Sequence, residues 1–348
     1  MPPAEAKHRA KAARAAPPDP AALRHGAALS IGLSAAIVAA TQQEPRVLTL
    51  RIAPGPGDGT PTEALPAGPL EAEHRTLEIG LRSWVERQTS QVLGHVEQLY
   101  TFGDRDRMAG GDGQGVRALT VAYLALVREA RPAGSADAAW QSWYRYFPWE
   151  DWRGGRPAAL DAIAAQLVRW SAAGASEPER RLREERIDLA FARRAAAWNE
   201  ELVLERYELL YQAGLVAEAA RDVGRAAAAD TAAAGVPMAV DHRRILATAI
   251  GRLRGKIKYR PVVFELMPPA FTLLQLQRMV EALAGVPVHK QNFRRLVEQR
   301  GLVEETGEMS AATGGRPARL VRFRREVLLE RPAPGLRLRA GRRPAAGA

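Results

Sequence analysis

The sequence contains no cysteine, which excludes disulfide bonds, thiol catalysis, iron–sulfur clusters and cysteine-ligated zinc fingers. It also lacks an uninterrupted apolar segment of about 20 residues, the length that a membrane-spanning helix needs, and it shows no tandem repeat. Hydrophobic residues make up 47% of the 348 residues and charged residues 26%, which is ordinary for a globular protein. We therefore expect two or three folded domains and no contact with a membrane.

A moderately apolar run near the N-terminus has two interpretations. Residues 27–40 (AALSIGLSAAIVAA) follow a basic, Ala- and Pro-rich stretch and end in small residues, as a secretory signal peptide does. However, the preceding charged region is too long for a signal peptide, and Ser30 and Ser34 interrupt the apolar run. A buried strand explains the same pattern, so we predict a strand here and a cytoplasmic protein.

The net charge of +11 is concentrated in the C-terminal third of the chain. Residues 241–348 contain 22 Lys and Arg against 9 Asp and Glu, whereas the first 240 residues contain 28 against 30. A basic domain joined to a near-neutral one is typical of a protein that binds a polyanion.

The N-terminal half mixes strand patterns with helix patterns, which indicates an α+β domain. Hydrophobic periodicity predicts a helix over 75–89 and strands at 27–40, 46–53, 95–102 and 117–127, of which the first two form a hairpin. From 157 to 259 the pattern is helical, with helices near 178–196, 199–222 and 241–258. Seven of the 21 aromatic residues lie in 140–152, where they could form core, a dimer surface or a platform for a nucleotide base.

The C-terminal pattern predicts a winged helix-turn-helix. Thr272 can cap an amphipathic helix, a Gly/Pro turn follows at 284–288, a short polar helix spans 289–300, and strands at 301–306 and 319–324 flank a turn-rich wing. In such a domain the second helix offers polar side chains to base edges, and the wing offers cations to phosphates. The candidate DNA-binding residues are His289, Lys290, Gln291, Asn292, Arg294, Arg295, Arg316 and Arg319. The alternative is a basic domain that docks on an acidic protein or on RNA.

Gly68 and Arg82 stand at the separation found in the Nudix signature, Gly-x5-Glu-x7-Arg-Glu-φ-x-Glu-Glu-x-Gly-φ, whose glutamates bind Mg²⁺. At the four glutamate positions this chain has, in order, His74, Ser83, Glu86 and Arg87. A single carboxylate beside a cation is a poor Mg²⁺ site, so we expect no metal site and no hydrolase activity. Spacing alone leaves a second interpretation, in which Glu78, Arg82 and Glu86 form a ladder of charges on a helix surface.

Residues 28–130 and 241–325 together resemble the Nudix-related transcriptional regulators of NAD metabolism. The resemblance rests on segments such as IGLSAAIVAATQQEPRVLTLRI, ALPAGPLEAEHRTLEIGLRSWVERQT and HKQNFRRLVEQRGLVEETGE. Two further segments, WYRYFPWEDWR and WNEELVLERYELLYQAGLV, are similar to the alphaproteobacterial NadQ branch rather than to the shorter NrtR branch. The resemblance implies a homodimeric repressor of NAD biosynthesis or salvage genes, whose Nudix-like domain binds a nucleotide without hydrolysing it.

The combined observations predict an α+β protein of five regions: a disordered basic tail (1–27), a Nudix-like sensor domain of mixed sheet and helix (28–152), a helical insertion with a linker helix (153–260), a winged helix-turn-helix domain (261–330) and a disordered tail (331–348). The expected partners are double-stranded DNA with an inverted-repeat operator and an adenine nucleotide effector (NAD, ADP-ribose or ATP), with no cofactor required. The candidate nucleotide-binding residues are Arg82, Glu86, Arg87, Tyr100, Phe102 and Arg105. One of Trp143, Tyr144 and Trp149 could also stack on adenine.

Two other functions fit parts of the sequence. A Nudix-type pyrophosphatase would hydrolyse ADP-ribose or NAD with carboxylates from outside the signature, namely Asp104, Asp106, Asp112, Glu150 and Asp151. An adaptor protein would bind its partners through the helical insertion. Mg²⁺-dependent turnover would identify the enzyme, and salt-dependent binding to one promoter fragment would identify the regulator.

Overall fold

The computed structural model describes residues 29–53, 62–103, 117–128, 137–194, 197–225, 233–310, 317–331 and 333–336. The predicted tail 1–27, most of the tail 331–348 and two candidate binding residues, Arg105 and Arg316, lie outside this part of the chain, as do Asp104, Asp106 and Asp112. Among the helices described, none combines the length and the apolar character needed to cross a bilayer.

A seven-stranded mixed sheet forms the centre of the N-terminal half. Its strands are β1 (Leu29–Ala40), β2 (Pro45–Ile52), β3 (Thr62–Ala64), β4 (Ala67–Pro69), β5 (His95–Phe102), β6 (Arg117–Leu126) and β7 (Ala138–Ser142). The main order is β3-β2-β1-β6-β5, with β4 on β1 and β7 on β2. β1 and β2 form the expected antiparallel hairpin, whereas β1 and β6 pair in parallel from Leu29↔Arg117 to Val38↔Leu126.

The central strand β1 is buried on both faces, because Leu33–Ala39 have no accessible surface. Helix α1 (Leu77–Thr89) covers one face through Leu81 and Val85. The other face belongs to a second cluster of core residues that includes Ala36 and Val38. A strand covered on both faces carries a continuous apolar run instead of an alternating one, which is why this segment resembled a signal peptide.

Five helices follow the sheet: α2 (Ala159–Ala172), α3 (Glu177–Phe191), α4 (Val203–Gln212), α5 (Ala217–Asp222) and α6 (His242–Tyr259). The helix predicted at 178–196 ends at Phe191, where Ala192 takes a left-handed conformation with φ of 50°. The single helix predicted at 199–222 is wrong, since the chain turns between α4 and α5 at Gly214, whose φ is +70°.

Five of the seven rings in the aromatic segment 140–152 lie in the core, whereas Trp140 and Trp152 are only half-buried. Trp143, Tyr146, Phe147 and Trp149 are fully buried, and Tyr144 is 8% exposed. The rings meet edge to face, for example Phe147 and Trp149 with centroids 5.8 Å apart, a favourable geometry for aromatic pairs. The predictions that these five rings form a dimer surface, or that Trp143, Tyr144 or Trp149 stacks on a nucleotide base, are therefore wrong.

The C-terminal region has the order predicted for a winged helix: α7 (Leu273–Ala284), α8 (Lys290–Gln299), β8 (Val303–Ser310), β9 (Ala318–Phe323) and the short α9 (Val327–Glu330). Thr272 caps α7 in a capping box with Gln275. The first wing strand runs to Ser310, four residues beyond the predicted end, because its far end pairs with β9 through Met309↔Arg319 and Ser310↔Ala318.

One continuous core joins the sheet, the helices and the winged helix. A single cluster of buried residues includes Ala36 of β1, Trp149 of the aromatic segment, Tyr207 of α4, Leu253 of α6 and Val280 of α7. The winged helix thus packs directly on the rest of the chain. The boundaries 28–152, 153–260 and 261–330 stay predictions.

Candidate DNA interface and nucleotide site

The turn between α7 and α8 is held by side chains of α7. Gly285 ends α7 with φ of +74°, the left-handed conformation that favours glycine. The carboxylate Oε1 of Glu281 accepts hydrogen bonds from the backbone N–H of Val288 (2.9 Å) and from Nε2 of Gln277 (3.1 Å). The start of α8 therefore has a fixed direction relative to α7.

Helix α8 separates a buried side from a polar exposed side. Phe293 and Val297 are buried at 1% and 0% exposure and anchor the helix. The six candidate residues on this element, His289, Lys290, Gln291, Asn292, Arg294 and Arg295, are all exposed. Within the described chain Lys290 and Arg294 have no carboxylate partner, and Nη2 of Arg295 donates to Oδ1 of Asn292 at 3.5 Å. These side chains are available to a ligand without breaking an ion pair.

The wing differs from α8, because Arg319 and Arg322, the two arginines of its described strands, are both paired. Arg319 contacts Glu305 at 2.6 Å, and Arg322 contacts Glu304 at 2.6 Å, both across the β8–β9 ladder. These pairs are exposed and hence individually weak, so phosphates can compete for the arginines. Even so, the described strands of the wing carry less unpaired positive charge than the number of their arginines in the sequence indicates.

The signature glycine has a packing role. A Cβ on Gly68 would lie 2.1 Å from the indole of Trp84, which sits on α1 and donates from Nε1 to Pro69 O at 2.8 Å. At the position that corresponds to the first glutamate of the Nudix signature, the His74 side chain is nearly buried, and its Nδ1 accepts from the backbone N–H of Glu71 at 3.0 Å. The strand β4, the loop after it and α1 are thus bound together by apolar and polar packing where the signature would place a carboxylate.

Arg82 braces the loop that follows α1. Its guanidinium donates to Glu78 Oε1 at 2.8 and 2.9 Å, to Gly94 O at 3.2 Å and to Leu93 O. The Glu78–Arg82 ion pair is one contact of the charge ladder on the helix surface that the i, i+4 spacing of Glu78, Arg82 and Glu86 predicted as an alternative. Arg82 is therefore committed to loop contacts.

Glu86 and Arg87 are exposed on the same helix. Together with Ile79, Arg82 and Ser83 they line an open depression of about 380 Å³. Arg87 is partly occupied: it contacts Glu71 at 3.1 Å and lies over the Trp84 ring at 4.0 Å. Across the described residues no three His, Asp or Glu side chains are grouped to hold a metal ion.

The remaining candidate nucleotide-binding residues differ in how deeply their side chains are buried. Tyr100 is 64% exposed, whereas Phe102 is buried in the core at 6% and meets Tyr100 edge to face. A buried ring cannot stack on a base without opening the core, so of these two only Tyr100 is accessible. Of the alternative metal carboxylates, the two that the structure describes are occupied: Asp151 is bound to Arg153 at 2.8 Å and Glu150 is bound to two arginines.

A buried ionic centre around Glu150 was not predicted from the sequence. Its carboxylate contacts Nε of Arg206 on α4 and Nη1 of Arg254 on α6, each at 2.5 Å, and all three side chains are at most 1% exposed. A second buried pair joins Arg243 to Glu218 at 3.2 Å. The signal was present in α6, since Arg254 lies four residues after Ile250 and three before Ile257, on its apolar side.

Residues 263–323 match the family described as the NrtR DNA-binding winged helix domain. This region forms an NrtR-type winged helix domain. A curated relative, the "ADPR responsive transcriptional repressor NtrR" of Acinetobacter baylyi, is 43% identical over 86 residues. That match covers 25% of this chain and 34% of the relative, so the chain matches about a third of the relative's length.

Two crystal structures show the same overall fold. Shewanella oneidensis NrtR complexed with a 27mer DNA matches with a TM-score of 0.52 and 21% identity, covering 89% of this chain and 99% of that chain. A second crystal structure of Shewanella oneidensis NrtR matches with a TM-score of 0.50 and 21% identity, covering 85% of this chain and 95% of that chain. The α+β class is confirmed, with a Nudix-like mixed sheet and helix followed by the NrtR-type winged helix; placement in the NadQ branch stays a prediction.

Proposed function

We propose that this chain is a transcriptional repressor of NAD biosynthesis genes that binds duplex DNA through α8 and responds to ADP-ribose or a related adenine nucleotide. The observation that carries the proposal is the exposed polar side of α8 within an NrtR-type winged helix domain. The curated relative's description as an ADPR responsive repressor favours ADP-ribose over NAD and ATP.

DNA recognition is assigned to two surfaces with different tasks. Lys290, Gln291, Asn292, Arg294 and Arg295 start α8, whose N-terminal residues reach base edges in a helix-turn-helix. His289 precedes them at the helix start, while Arg316 and Arg319 of the wing contact phosphates. The wing pair Arg319–Glu305 must open for that contact, so the wing contributes a smaller share of the salt-dependent binding.

The nucleotide site is assigned to the exposed side of α1. Arg82, Glu86 and Arg87 line the depression there, Arg87 offers a cation to a phosphate, and Tyr100 and Arg105 lie on or after β5 as further candidates. Phe102 would act only as the buried support of Tyr100. With His74, Ser83 and Arg87 at three glutamate positions, the site binds a nucleotide without hydrolysing it, and no cofactor is required.

A homodimer on an inverted repeat follows from the small footprint of one winged helix, which contacts few base pairs. The five buried rings of the aromatic segment do not form the partner surface, because they lie in the core of the single chain. The repressor would act in the cytoplasm, where it binds DNA and makes no contact with a membrane.

The test selects a duplex from a random pool with the full-length protein, and then measures its affinity by fluorescence anisotropy. We expect binding that falls steeply with salt, an inverted repeat in the selected duplex, and a change of about 5–150-fold on adding ADP-ribose, the usual range of allosteric coupling. NAD and ATP are titrated in parallel. Failure to select any duplex would remove the DNA-binding assignment, and an affinity unchanged by all three nucleotides would remove the sensor assignment alone.

A further inference from the structure

The aromatic segment connects the N-terminal sheet to the winged helix without interruption. Its first residues belong to β7 (Ala138–Ser142), which pairs with β2 from Ala138↔Leu50 to Ser142↔Arg46. It ends at Trp152, whose backbone N–H donates to Gly285 O at 2.7 Å. Fifteen residues therefore lead from the sheet to the residue that closes α7.

Three donors converge on the last carbonyl groups of α7. The hydroxyl of Tyr144 donates to Ala282 O at 2.7 Å, Nε of Arg254 donates to Leu283 O at 2.9 Å, and the Trp152 N–H donates to Gly285 O. The last carbonyls of a helix have no partner within the helix and carry its negative dipole end. A buried cation and two further donors satisfy them here, and the set is called the docking contact below.

The docking contact leaves no space. A Cβ on Gly285 would lie 2.3 Å from the carbonyl oxygen of Glu150, 2.8 Å from Nη2 of Arg254 and 2.9 Å from the hydroxyl of Tyr144. Burial raises the pKa of Tyr144, so its hydroxyl keeps the proton that it donates. The Glu150 carboxylate forms an ion pair with Nη1 of the same Arg254 guanidinium.

Any movement of the docking contact must move α8. The turn from Gly285 to His289 is short and is bound to α7 by Glu281 and Gln277. Since α7 and α8 are joined in this way, a shift of the aromatic segment changes the direction of α8 instead of being absorbed by a loose linker.

Building on the proposed function, we propose that Tyr144, Arg254 and Gly285 are positioning residues, which set the angle of α8 and transmit the nucleotide response to it. The docking contact includes none of the candidate DNA-binding or nucleotide-binding residues on α8, the wing, α1 or β5. The proposal also gives the helical insertion a role, since Arg206 on α4 and the backbone carbonyl of Glu200 hold the same ionic centre.

Two variants disturb the docking contact, and each has a matched control. Tyr144→Phe removes one hydroxyl and keeps the buried ring; Tyr211→Phe removes a hydroxyl that bonds Asp222, away from the winged helix. Gly285→Ala inserts a methyl group into the contact; Gly214→Ala imposes the same strain at φ +70°, with no atom within 4 Å of the new Cβ. The control thus separates backbone strain from displacement of α7.

The main measurement is the ratio of the affinities for the selected duplex with and without saturating ADP-ribose. We expect Tyr144→Phe and Gly285→Ala to bring this ratio at least about threefold closer to one, while both controls stay within about twofold of the parent. The affinity of the free protein for ADP-ribose should also stay within about twofold. Hydrogen exchange of the Trp152 amide should accelerate in both test variants and in neither control.

The outcomes distinguish this proposal from the proposed function. A parent protein whose DNA affinity ignores ADP-ribose overturns the sensor function, and the transmission role with it. A parent that responds, with Tyr144→Phe and Gly285→Ala folded and responding equally, overturns the docking contact alone. If Gly285→Ala does not fold, the result for Tyr144→Phe alone decides whether the docking contact transmits the response. This variant removes a single oxygen atom and keeps the buried ring.

Discussion

Removing the charge of Glu150 tests the buried ionic centre most directly. Glu150→Gln keeps the size of the side chain but removes the carboxylate that Arg206 and Arg254, both fully buried, share as their ion-pair partner. Removing one partner of a buried ion pair costs about 3–5 kcal/mol. Each arginine keeps two backbone carbonyl acceptors, at Ala190 and Asn199 for Arg206 and at Leu283 and Glu200 for Arg254. We therefore expect a loss in the lower part of that range.

The matched control is Glu97→Gln. Glu97 also faces two cations, Arg252 at 3.4 Å and Lys256, but its side chain is 22% exposed and that of Arg252 is 50% exposed. Water screens such pairs, so this variant should lose less than about 1 kcal/mol.

Denaturant unfolding of both variants, followed by circular dichroism, measures the difference. A loss of about 3 kcal/mol is large against the roughly 5–15 kcal/mol that stabilises a typical protein. Equal losses below about 1 kcal/mol in the two variants would refute the reasoning, because the buried carboxylate would then behave like a surface one.

Three further predictions concern recognition, catalysis and pH. Asn292→Ala should cost about 1–3 kcal/mol of binding to the selected duplex and relax sequence choice, whereas Arg319→Ala should weaken all duplexes alike and flatten the salt dependence; the reverse result in anisotropy titrations would contradict the orientation of α8. ADP-ribose and NAD should not be hydrolysed with Mg²⁺, and robust turnover that Glu86→Gln abolishes would restore the pyrophosphatase. Burial and a hydrogen bond to Asp222 raise the pKa of Tyr211 from 10 to about 12. Its contribution to stability is therefore present below pH 10 and is lost as the pH rises through about 12. Tyr211→Phe should flatten that loss in unfolding experiments between these pH values, and an unchanged slope would show that Tyr211 does not cause it.

Local patterns were sufficient for the elements that form from neighbouring residues. The sequence predicts three sets of elements: the hairpin of β1 and β2, helix α1, and the pair α7–α8. Their signals are hydrophobic periodicity, the Thr272 cap and the turn at Gly285, which all act within a few residues. The short strands β3, β4 and β7 were missed. Three to five residues carry too little periodicity, and these strands exist because β1 and β2 offer them hydrogen bonds.

The candidate DNA surface followed from the sequence more fully than the nucleotide site did. Gln291, Asn292 and Arg295 lie on the solvent side of α8 because Phe293 and Val297 must be buried, and helical periodicity alone places them there. By contrast, the availability of Arg82 and Phe102 depended on contacts that periodicity does not report. One braces the loop at Leu93 and the other lies in the core.

The sequence by itself determined the distribution of charge, the residue types at the positions of the signature glutamates and the helix-turn-helix pattern, since each is a property of composition or of short spacing. Only the tertiary structure decided the fate of the charged residue Glu150 and of the aromatic segment around it. Glu150 meets Arg206 and Arg254 from positions 56 and 104 residues away. A buried charge is tolerated only where opposite charges and hydrogen-bond partners converge on it. Such convergence depends on how distant segments pack, which the order of neighbouring residues does not encode locally.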